Sequence, residues 1–348
     1  MTIARPMRMV SILSQDRILF RRTYRFRITK KNSITKILDI TKPIPLGWVF
    51  CLRSFVQQLL SVIVISLRTL NRTLVKNLVI ILLLMCHVTL LAQRKPKIKG
   101  SRIVTEVNQE LPAFNAIQLN DNLDIVLKKS FGSGYKIVAD DNLVDILKFK
   151  VEDSTLVISS FYDVTAKKQF DITINYTELR AITVKEGSIV SNDIISSDEL
   201  FVDAFANAKL DIKANAAVMD INMEDMSKGD FNVDVDSLNI GLNKRAEAYV
   251  YSVNEVSVVD VEGNGSLMFE GTSDRMEIGL TGNSKYKGEK MEAGTIKARL
   301  ENAANARLYS YRDLELSAKG NSRIYLYGNP KITVLEFLDT AQLIKKVE

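Results

Sequence analysis

Three residue types on which much enzyme chemistry depends are almost missing from this chain. Its 348 residues include one histidine, one tryptophan and two cysteines. These four residues, His87, Trp48, Cys51 and Cys86, all precede residue 93. Residues 93–348, called the body below, therefore lack the side chains for a cysteine nucleophile, a Ser-His-Asp triad, a His/Cys zinc site or a disulfide. We expect no catalytic residue, no metal site and no cofactor in the body.

Acidic residues are scarce at the start of the chain, which makes the formal net charge of +6 misleading. Residues 1–99 contain 19 Lys and Arg but only two acidic residues, Asp16 and Asp39. The remaining residues hold 28 basic and 39 acidic side chains, a net charge of −11. Because a negatively charged body repels phosphate, the sequence argues against a nucleic-acid partner.

An apolar run near residue 80 has the form of a secretory signal. Residues 78–84 are all apolar. The largely apolar stretch continues to the small Ala92, which precedes the polar Gln93. This pattern predicts a signal peptide over 74–92, with cleavage between Ala92 and Gln93. An uncleaved signal anchor at 77–93 is the alternative, because about 17 apolar residues lie at the short limit for a membrane span. The body is then exported to the periplasm, the outer surface or the extracellular space, or it stays anchored in the inner membrane through 77–93 alone.

Residues 1–73 form a basic extension without a sustained period, and two interpretations stay open. In the first, an apolar patch at 55–67 is a short membrane segment that follows a cytoplasmic extension. In the second, translation starts near Leu74 or Val75, and the upstream residues come from an over-extended gene prediction. Neither interpretation changes the analysis of the body.

The body is dominated by short alternating segments separated by Gly, Asn and Ser, and helical periodicity is nearly absent. From residue 176 onward, comparable strand starts recur every 18 to 20 residues, at Leu200, Val218, Leu238, Val256, Met276, Ile296, Leu314 and Ile332. Small or turn-prone residues separate paired strands, at 206–208, 228–230, 263–266, 282–284 and 320–322.

A period near 20 residues that leaves no room for a helix predicts repeats that stack on their neighbours. We therefore predict an all-β fold, a parallel β-solenoid (single-stranded β-helix) of about eight coils over 176–334. An antiparallel meander of hairpins is the alternative. Residues 93–175 repeat less clearly and predict an N-terminal antiparallel β cap with a short helix at 142–147. Residues 335–348 are expected to form a C-terminal tail.

The order of these elements resembles a known family. The segment Phe114-x-x-Ile117 is followed by strands at 124–127 and 151–156, then by tandem coils that turn on Gly, Asn and Ser, and last by 327–330. Over about 114–334 this order is similar to the "putative auto-transporter adhesin, head GIN domain" family (DUF2807) of secreted, Bacteroidetes-like proteins. The resemblance implies an export-destined β-solenoid, and it brings no ligand residues with it.

One candidate binding pattern is acidic. Asp230, Asn232, Asp234 and Asp236 share one face of a predicted strand, and calcium prefers such oxygen ligands. The glycine-rich calcium repeat of other β-solenoids is absent, however. Since strand alternation alone turns polar residues outward, we interpret these four as a solvated face.

The second candidate pattern is aromatic. Tyrosines recur on the second strand of several repeats, at Tyr249, Tyr251, Tyr309, Tyr311, Tyr325 and Tyr327, with Phe269 and Tyr286 between them. Alternation places each Tyr-x-Tyr pair on one face and Val250 or Leu326 on the other. Stacked coils would align these rings into a ladder that offers a surface glycan or protein a binding face. The alternative is that the rings only pack the sheet.

These observations favour an exported, non-enzymatic β-solenoid that acts in surface adhesion or envelope organisation. A membrane-anchored periplasmic scaffold or regulatory domain is the second hypothesis. A carbohydrate-active enzyme is a distant third, because no repeat concentrates carboxylates along an outer groove. The sequence does not indicate an oligomeric state.

Overall fold

The computed structural model describes residues 95–347. The basic extension 1–73, the signal segment 74–92 and the predicted cleavage site between Ala92 and Gln93 lie outside the described residues. All described strands belong to one compact unit, Gln93–Glu348. Within residues 95–347, no helix is both long and apolar enough to cross a membrane.

Strands make up almost all of the regular structure. The first eleven are β1 Lys97–Lys99, β2 Val104–Glu110, β3 Ala116–Leu119, β4 Asp124–Lys129, β5 Gly134–Asp140, β6 Leu147–Glu152, β7 Thr155–Ser160, β8 Asp163–Ala166, β9 Phe170–Tyr176, β10 Ala181–Val184 and β11 Ser188–Ser191. The others are β12 Ile195–Ala204, β13 Lys209–Met223, β14 Lys228–Leu242, β15 Glu247–Gly263, β16 Ser266–Gly282, β17 Lys285–Leu300, β18 Asn305–Ala318, β19 Arg323–Tyr327, β20 Lys331–Phe337 and β21 Gln342–Lys345. Within residues 95–347 the one helix is short: α1 (Asp141–Val144) follows β5 and covers part of the predicted helix at 142–147.

The long strands β12 to β18 stack in parallel, one per coil, and confirm the β-solenoid. Ile240 pairs with Val259, Val259 pairs with Ile278, and Ile278 pairs with Ala298. The solenoid has about 9 turns. The antiparallel meander is wrong, because the chain segment that starts at Met276 pairs in parallel with the segment that starts at Ile296.

Each long strand bends once and so contributes to two sheets. In β13 the buried positions fall on even residues up to Ala216 and on odd residues from Met219 onward. The register skips one residue at the same place, between Ala216 and Val218. We call the sheet formed by the first halves sheet A, which also contains β4, β9, β11, β19 and β21. Sheet B is formed by the second halves together with β3, β7, β10 and β20.

The inward side chains of both sheets form one apolar core that runs along the solenoid. Two of the predicted strand starts are off by one residue within this core. The inward ladder runs through Leu200, Met219, Leu238, Ser257 and Met276, rather than through Val218 and Val256. Ser257 is fully buried, and its hydroxyl donates a hydrogen bond to Asn254 Oδ1 at 2.8 Å. A hydrophobic pattern does not identify this position as part of the core, because the residue there is a polar serine whose hydroxyl is hydrogen-bonded.

The coils turn on a ladder of residues with positive φ. These residues are Ala206, Asp225, Lys244, Gly263, Gly282, Asn302, Gly320 and Asp339. Successive turns are joined by backbone hydrogen bonds, such as Asn283 N–H to the Gly263 carbonyl at 2.7 Å. The turns predicted at 206–208 and 263–266 lie on this ladder. The turn predicted at 228–230 does not, because Lys228 begins β14 and the chain turns earlier, at Asp225.

The N-terminal part of the body mixes antiparallel and parallel pairing. β2 pairs with β5, β5 with β9 and β6 with β7, all antiparallel, as a cap requires. However, β3 and β4, which lie in the region predicted to be an antiparallel cap, pair in parallel with β10 and β11 and so add to the solenoid. Their short length conceals the repeat, because each coil here is divided between separate strands. The predicted tail at 335–348 likewise contains β21, which pairs in parallel with β19 and extends sheet A.

Candidate functional site

The predicted tyrosines lie on the outer face of sheet A, on β15, β18 and β19. Tyr251 is 44% exposed and Tyr311 is 52% exposed, while Tyr249, Tyr309, Tyr325 and Tyr327 are half-buried. The residues between them, Val250 and Leu326, are buried in the core. Strand alternation therefore turns the six rings outward, as the Tyr-x-Tyr spacing predicts.

The register divides the six tyrosines into two groups. Tyr249 and Tyr251 lie on β15, where Met268 of β16 pairs with Tyr249. On β18 and β19, Tyr309 pairs with Tyr327, and Tyr325 lies two residues before Tyr327 on the same face. Because β15 and β18 are three strands apart, about 14 Å separates the two groups. The rings therefore form two clusters, the first Tyr249 and Tyr251 and the second Tyr309, Tyr311, Tyr325 and Tyr327, instead of one continuous ladder.

Basic side chains surround the second cluster. Lys346 Nζ lies 5.2 Å from the centre of the Tyr325 ring, and Arg312 lies 5.7 Å from that of Tyr311. Arg307, which pairs with Tyr325 across the strands, also forms an ion pair of 2.8 Å with Glu289. Cations over aromatic faces contribute roughly 0.5–1 kcal/mol each at exposed sites and hold the rings in place. Arg312 likewise forms an ion pair of 2.7 Å with Asp274, so this surface combines flat apolar rings with two ion pairs and with the further positive charge of Lys346.

In the first cluster, one tyrosine is hydrogen-bonded to a carboxylate. The Tyr249 hydroxyl donates a hydrogen bond to Glu270 Oε2 at 3.3 Å. Partial burial raises the pKa of the Tyr249 phenol, and the nearby Glu270 charge raises it further. The phenol is therefore a neutral donor at physiological pH. Beside it, Lys228, Glu247, Met268 and Lys287 help to line a shallow groove of about 280 Å³.

Phe269 and Tyr286 do not belong to this outer face. Phe269 is fully buried and Tyr286 is 1% exposed, because both fall on the inward positions of their strands. Tyr286 pairs with Leu267 and Ala306, and its ring packs over Gly288. Burial, reinforced by the Glu289 charge, raises the pKa of the Tyr286 phenol far above its ordinary value. An expectation based on aromatic residue type alone fails here, since the strand position decides which way the ring points.

The acidic pattern on β14 is exposed, in keeping with a solvated face. Asp230, Asn232, Asp234 and Asp236 all point away from the core. Asp230 pairs with Asp211, and partial burial together with that like charge raises the pKa of Asp230. Among residues 95–347 there is no group of three or more His, Cys, Asp or Glu side chains that could hold a metal ion.

A cleft near the cap is a feature that sequence reasoning missed. It measures about 550 Å³ and is lined by Lys129, Thr177, Glu178, Arg180, Ser196, Ser197, Asp198 and Asn215. Phe131, which is wholly exposed, lies next to it on the loop after β4. Lys129 and Asn215 are far apart in the chain, and only the stacking of short strands brings them together. No local motif could have found this cleft.

Taken together, the fold and this surface define an elongated β-solenoid with an aromatic face and without a recognisable catalytic centre in the described part of the chain. The family model "putative auto-transporter adhesin, head GIN domain" matches residues 113–330, and the chain belongs to this family. Membership indicates a binding role at a surface and an exported or cell-surface protein. Membership of a family of adhesins also favours a non-enzymatic role.

Solved structures share the fold. A "putative adhesin" from Parabacteroides merdae is 16% identical, with a TM-score of 0.54, and the match covers 72% of this chain and 100% of the other. A "putative adhesin" from Parabacteroides distasonis is 17% identical with a TM-score of 0.51, over 72% and 100% of the two chains. A "putative lipid binding protein" from the same species is 16% identical with a TM-score of 0.50, with the same coverage. At these identities the likeness concerns the fold alone. No curated protein matches the chain significantly.

Proposed function

We propose that this chain is an exported, non-enzymatic adhesion domain that binds a surface glycan through the outer face of sheet A. The observation that carries the proposal is the outward orientation of all six tyrosines, four of which gather on β18 and β19. Tyrosine rings stack on the apolar faces of sugars, and their hydroxyls supply hydrogen bonds. A flat sheet suits an extended polymer, because equivalent positions recur at every strand.

The charged residues around the second tyrosine cluster indicate which class of glycan it would bind. Arg307, Arg312, Arg323 and Lys346 lie on or beside the second tyrosine cluster. Arginine recognises carboxylates and other planar or tetrahedral anions through paired hydrogen bonds. Glu289 and Asp274 pair with Arg307 and Arg312, but Arg323 and Lys346 add positive charge, so the composition favours an acidic polysaccharide over a neutral one. A protein ligand with an acidic surface is the other outcome that a binding experiment can give.

The experiment is a binding screen of residues 93–348 against acidic glycans, neutral glycans and matrix proteins, followed by variants. The double variant Tyr325→Ala/Tyr327→Ala should weaken glycan binding at least 10-fold and leave the unfolding midpoint nearly unchanged. Phe201→Ala is the matched control, since Phe201 is 42% exposed on sheet B and should not affect binding. Unchanged affinity in the tyrosine variant would overturn the proposal. Binding to proteins alone would replace the glycan as ligand.

Export by the 74–92 signal, with cleavage between Ala92 and Gln93, is part of this proposal. The apolar run before Gln93 supports it. N-terminal sequencing of the natural protein should find Gln93 as the first residue. A longer N terminus that includes 77–93 would instead support the second candidate, a domain anchored in the inner membrane.

For the third candidate, a carbohydrate-active enzyme, the two carboxyl groups whose pKa is raised do not form a catalytic pair. Burial raises the pKa of Asp203 and of Asp230, as an acid catalyst would require. However, Asp203 lies on sheet B and Asp230 on sheet A. A glycosidase needs its two carboxyl groups within about 10 Å of each other on either side of one bond. These two groups are on opposite sides of the solenoid.

A further inference from the structure

Among the described residues, no strand covers the C-terminal end of the solenoid. Ile332 and Val334 of β20 occupy the same ladder positions as Leu314 and Leu316 of β18. The β18 residues are at most 1% exposed, whereas Ile332 is 43% and Val334 is 49% exposed. Leu335, Phe337 and Leu338 are also between 41% and 60% exposed. Side chains placed to continue the core thus meet no further coil within the described residues.

The backbone is open at the same end. Among the described residues, β20 pairs only with β18, and β21 pairs only with β19. The far edges of both sheets therefore present unpaired N–H and C=O groups, a template for pairing with another chain. The cap end differs, because its edge strands β2 and β6 are joined to the sheet by antiparallel pairing and carry charged residues such as Glu106, Lys148 and Lys150. Charged edges of this kind resist pairing.

We propose that the open end binds a second copy of this chain, with β20 of one copy antiparallel to β20 of the other. A two-fold axis perpendicular to sheets A and B, passing through Thr333, continues both sheets from one copy into the next. Such pairing sets Ile332 opposite Val334 of the other copy, so the two apolar cores join. The antiparallel direction also brings Lys331 of one copy towards Glu336 of the other, whereas a parallel arrangement would oppose like charges.

The two-fold symmetry explains why association should stop at two copies. The same surface is used by both partners, so the contact is closed and leaves no second open end. The charged cap ends then face outward at both extremities of the dimer. Seven strand residues span about 23 Å, and two sheets about 10 Å apart give an end face of roughly 230 Å² per copy. This area is well below the ~800 Å² per partner of a standard interface, so we expect a weak dimer with a dissociation constant of tens of micromolar.

The dimer would also bring two binding faces together. β19, which carries Tyr325 and Tyr327, is next to the terminal strand β21 of sheet A. Across the axis the two β19 strands are three strand spacings apart, about 14 Å. The second tyrosine clusters of both copies would therefore lie on one continuous sheet. This consequence rests on the proposed function, whereas the dimer itself does not.

Sedimentation velocity on residues 93–348 between 1 and 100 µM tests the dimer without any ligand. We expect a reversible monomer–dimer equilibrium. Leu335→Lys should raise the dissociation constant at least 10-fold, since Leu335 is 60% exposed and its replacement does not disturb the core. Phe201→Lys is the control on sheet B and should leave dimerisation unchanged. A monomer at 100 µM, or a dimer insensitive to Leu335→Lys, would overturn the proposal.

A cysteine cross-link tests the geometry. The body has no cysteine, so Thr333→Cys introduces a single thiol on the proposed axis. Residues directly opposite in an antiparallel pair are within disulfide range. Mild oxidation should therefore give a covalent dimer of Thr333→Cys and none of Glu315→Cys, which is equivalent in position but lies on the inner strand β18. Circular dichroism confirms that each variant folds. A dimer that fails to cross-link at Thr333 would refute the antiparallel β20 contact, and failure of glycan binding would leave this result unaffected.

Discussion

Two glycines on neighbouring stretches of the solenoid should respond very differently to the same substitution. Gly263 has a φ of 71° on the turn ladder, and a Cβ added there would lie 3.1 Å from the nearest atom, the Lys244 carbonyl oxygen. Gly271 lies inside β16 with a φ of 120°, and its added Cβ would lie 1.9 Å from the Ser252 carbonyl oxygen. The first site is tight but sterically possible, whereas the second overlaps the backbone of the coil below.

The chain itself supports the first part of this reasoning. At the turn positions equivalent to Gly263, Ala206 has a φ of 50° and Lys244 a φ of 61°, so side chains are accommodated there. A residue with a Cβ in this left-handed region costs about 1–2 kcal/mol, and the smaller entropy of unfolded Ala returns roughly half of that. We therefore expect Gly263→Ala to destabilise by about 1 kcal/mol. Ala206→Gly, the reverse change, should be neutral or stabilising by up to about 1 kcal/mol.

The structure cannot accommodate Gly271→Ala as it accommodates a side chain at the turns. The clashing atom is the carbonyl oxygen of Ser252, whose position is fixed by the parallel strand pairing. Backbone strain and overpacking together should cost about 3 kcal/mol or more. Urea unfolding of residues 93–348, followed by far-ultraviolet circular dichroism, measures the free energy of unfolding of all three variants. The comparison holds when the slope of this free energy against urea concentration is the same in each variant. Equal destabilisation by Gly263→Ala and Gly271→Ala would refute the reasoning. So would a clear loss of stability in Ala206→Gly.

The other predictions concern the core, the buried phenol and metal ions. Leu316→Ala, at a site with no exposed surface, should destabilise by about 2–5 kcal/mol, whereas Tyr325→Ala on the outer face should cost clearly less, as thermal unfolding will show. Equal losses would mean that the outer rings serve only packing. Burial, with a contribution from the Asp193 charge, raises the pKa of Tyr176 to about 12, and its hydroxyl has no hydrogen-bond partner among the described residues. Because the folded state holds this proton more tightly than the unfolded state, its contribution to stability is complete below pH 10 and is lost between about pH 10 and 12. Tyr176→Phe should remove that part of the alkaline loss in a pH series of unfolding midpoints, and an unchanged alkaline profile would contradict the pKa. Finally, a strong chelator or dithiothreitol should not shift the unfolding midpoint of residues 93–348, and a fall in either case would reveal a metal or redox dependence.

Much of the fold could be predicted because the same physical constraint applies to every repeat of the solenoid. Every coil must bury one side of each strand, so apolar residues recur with the period of the coil even where single positions vary. The register errors at Val218 and Val256 occur where a half-buried valine precedes the true inward residue. At one of these sites the inward residue is Ser257, which is satisfied by Asn254. Local hydrogen bonding of this kind is not visible in a hydrophobic pattern.

The N-terminal coils were harder to predict, because β3 and β4 are short and their parallel partners are distant in the chain. β3 lies between β7 and β10, an order that no local spacing indicates. The same difficulty applies to the cleft between Lys129 and Asn215. Long-range strand order depends on which strand edges fit together across the whole fold, and no single segment contains that information.

The sequence by itself determined that the body is a β-solenoid without His/Cys chemistry, and that each Tyr-x-Tyr pair points to one side. Residue type and two-residue alternation suffice for both conclusions, since they act within a single strand. Only the tertiary structure decided that the tyrosines form two clusters, that Phe269 and Tyr286 are in the core, and that no described strand covers the last coil. These features depend on the register between coils and on what covers each edge, and neither is encoded in any one segment of the chain.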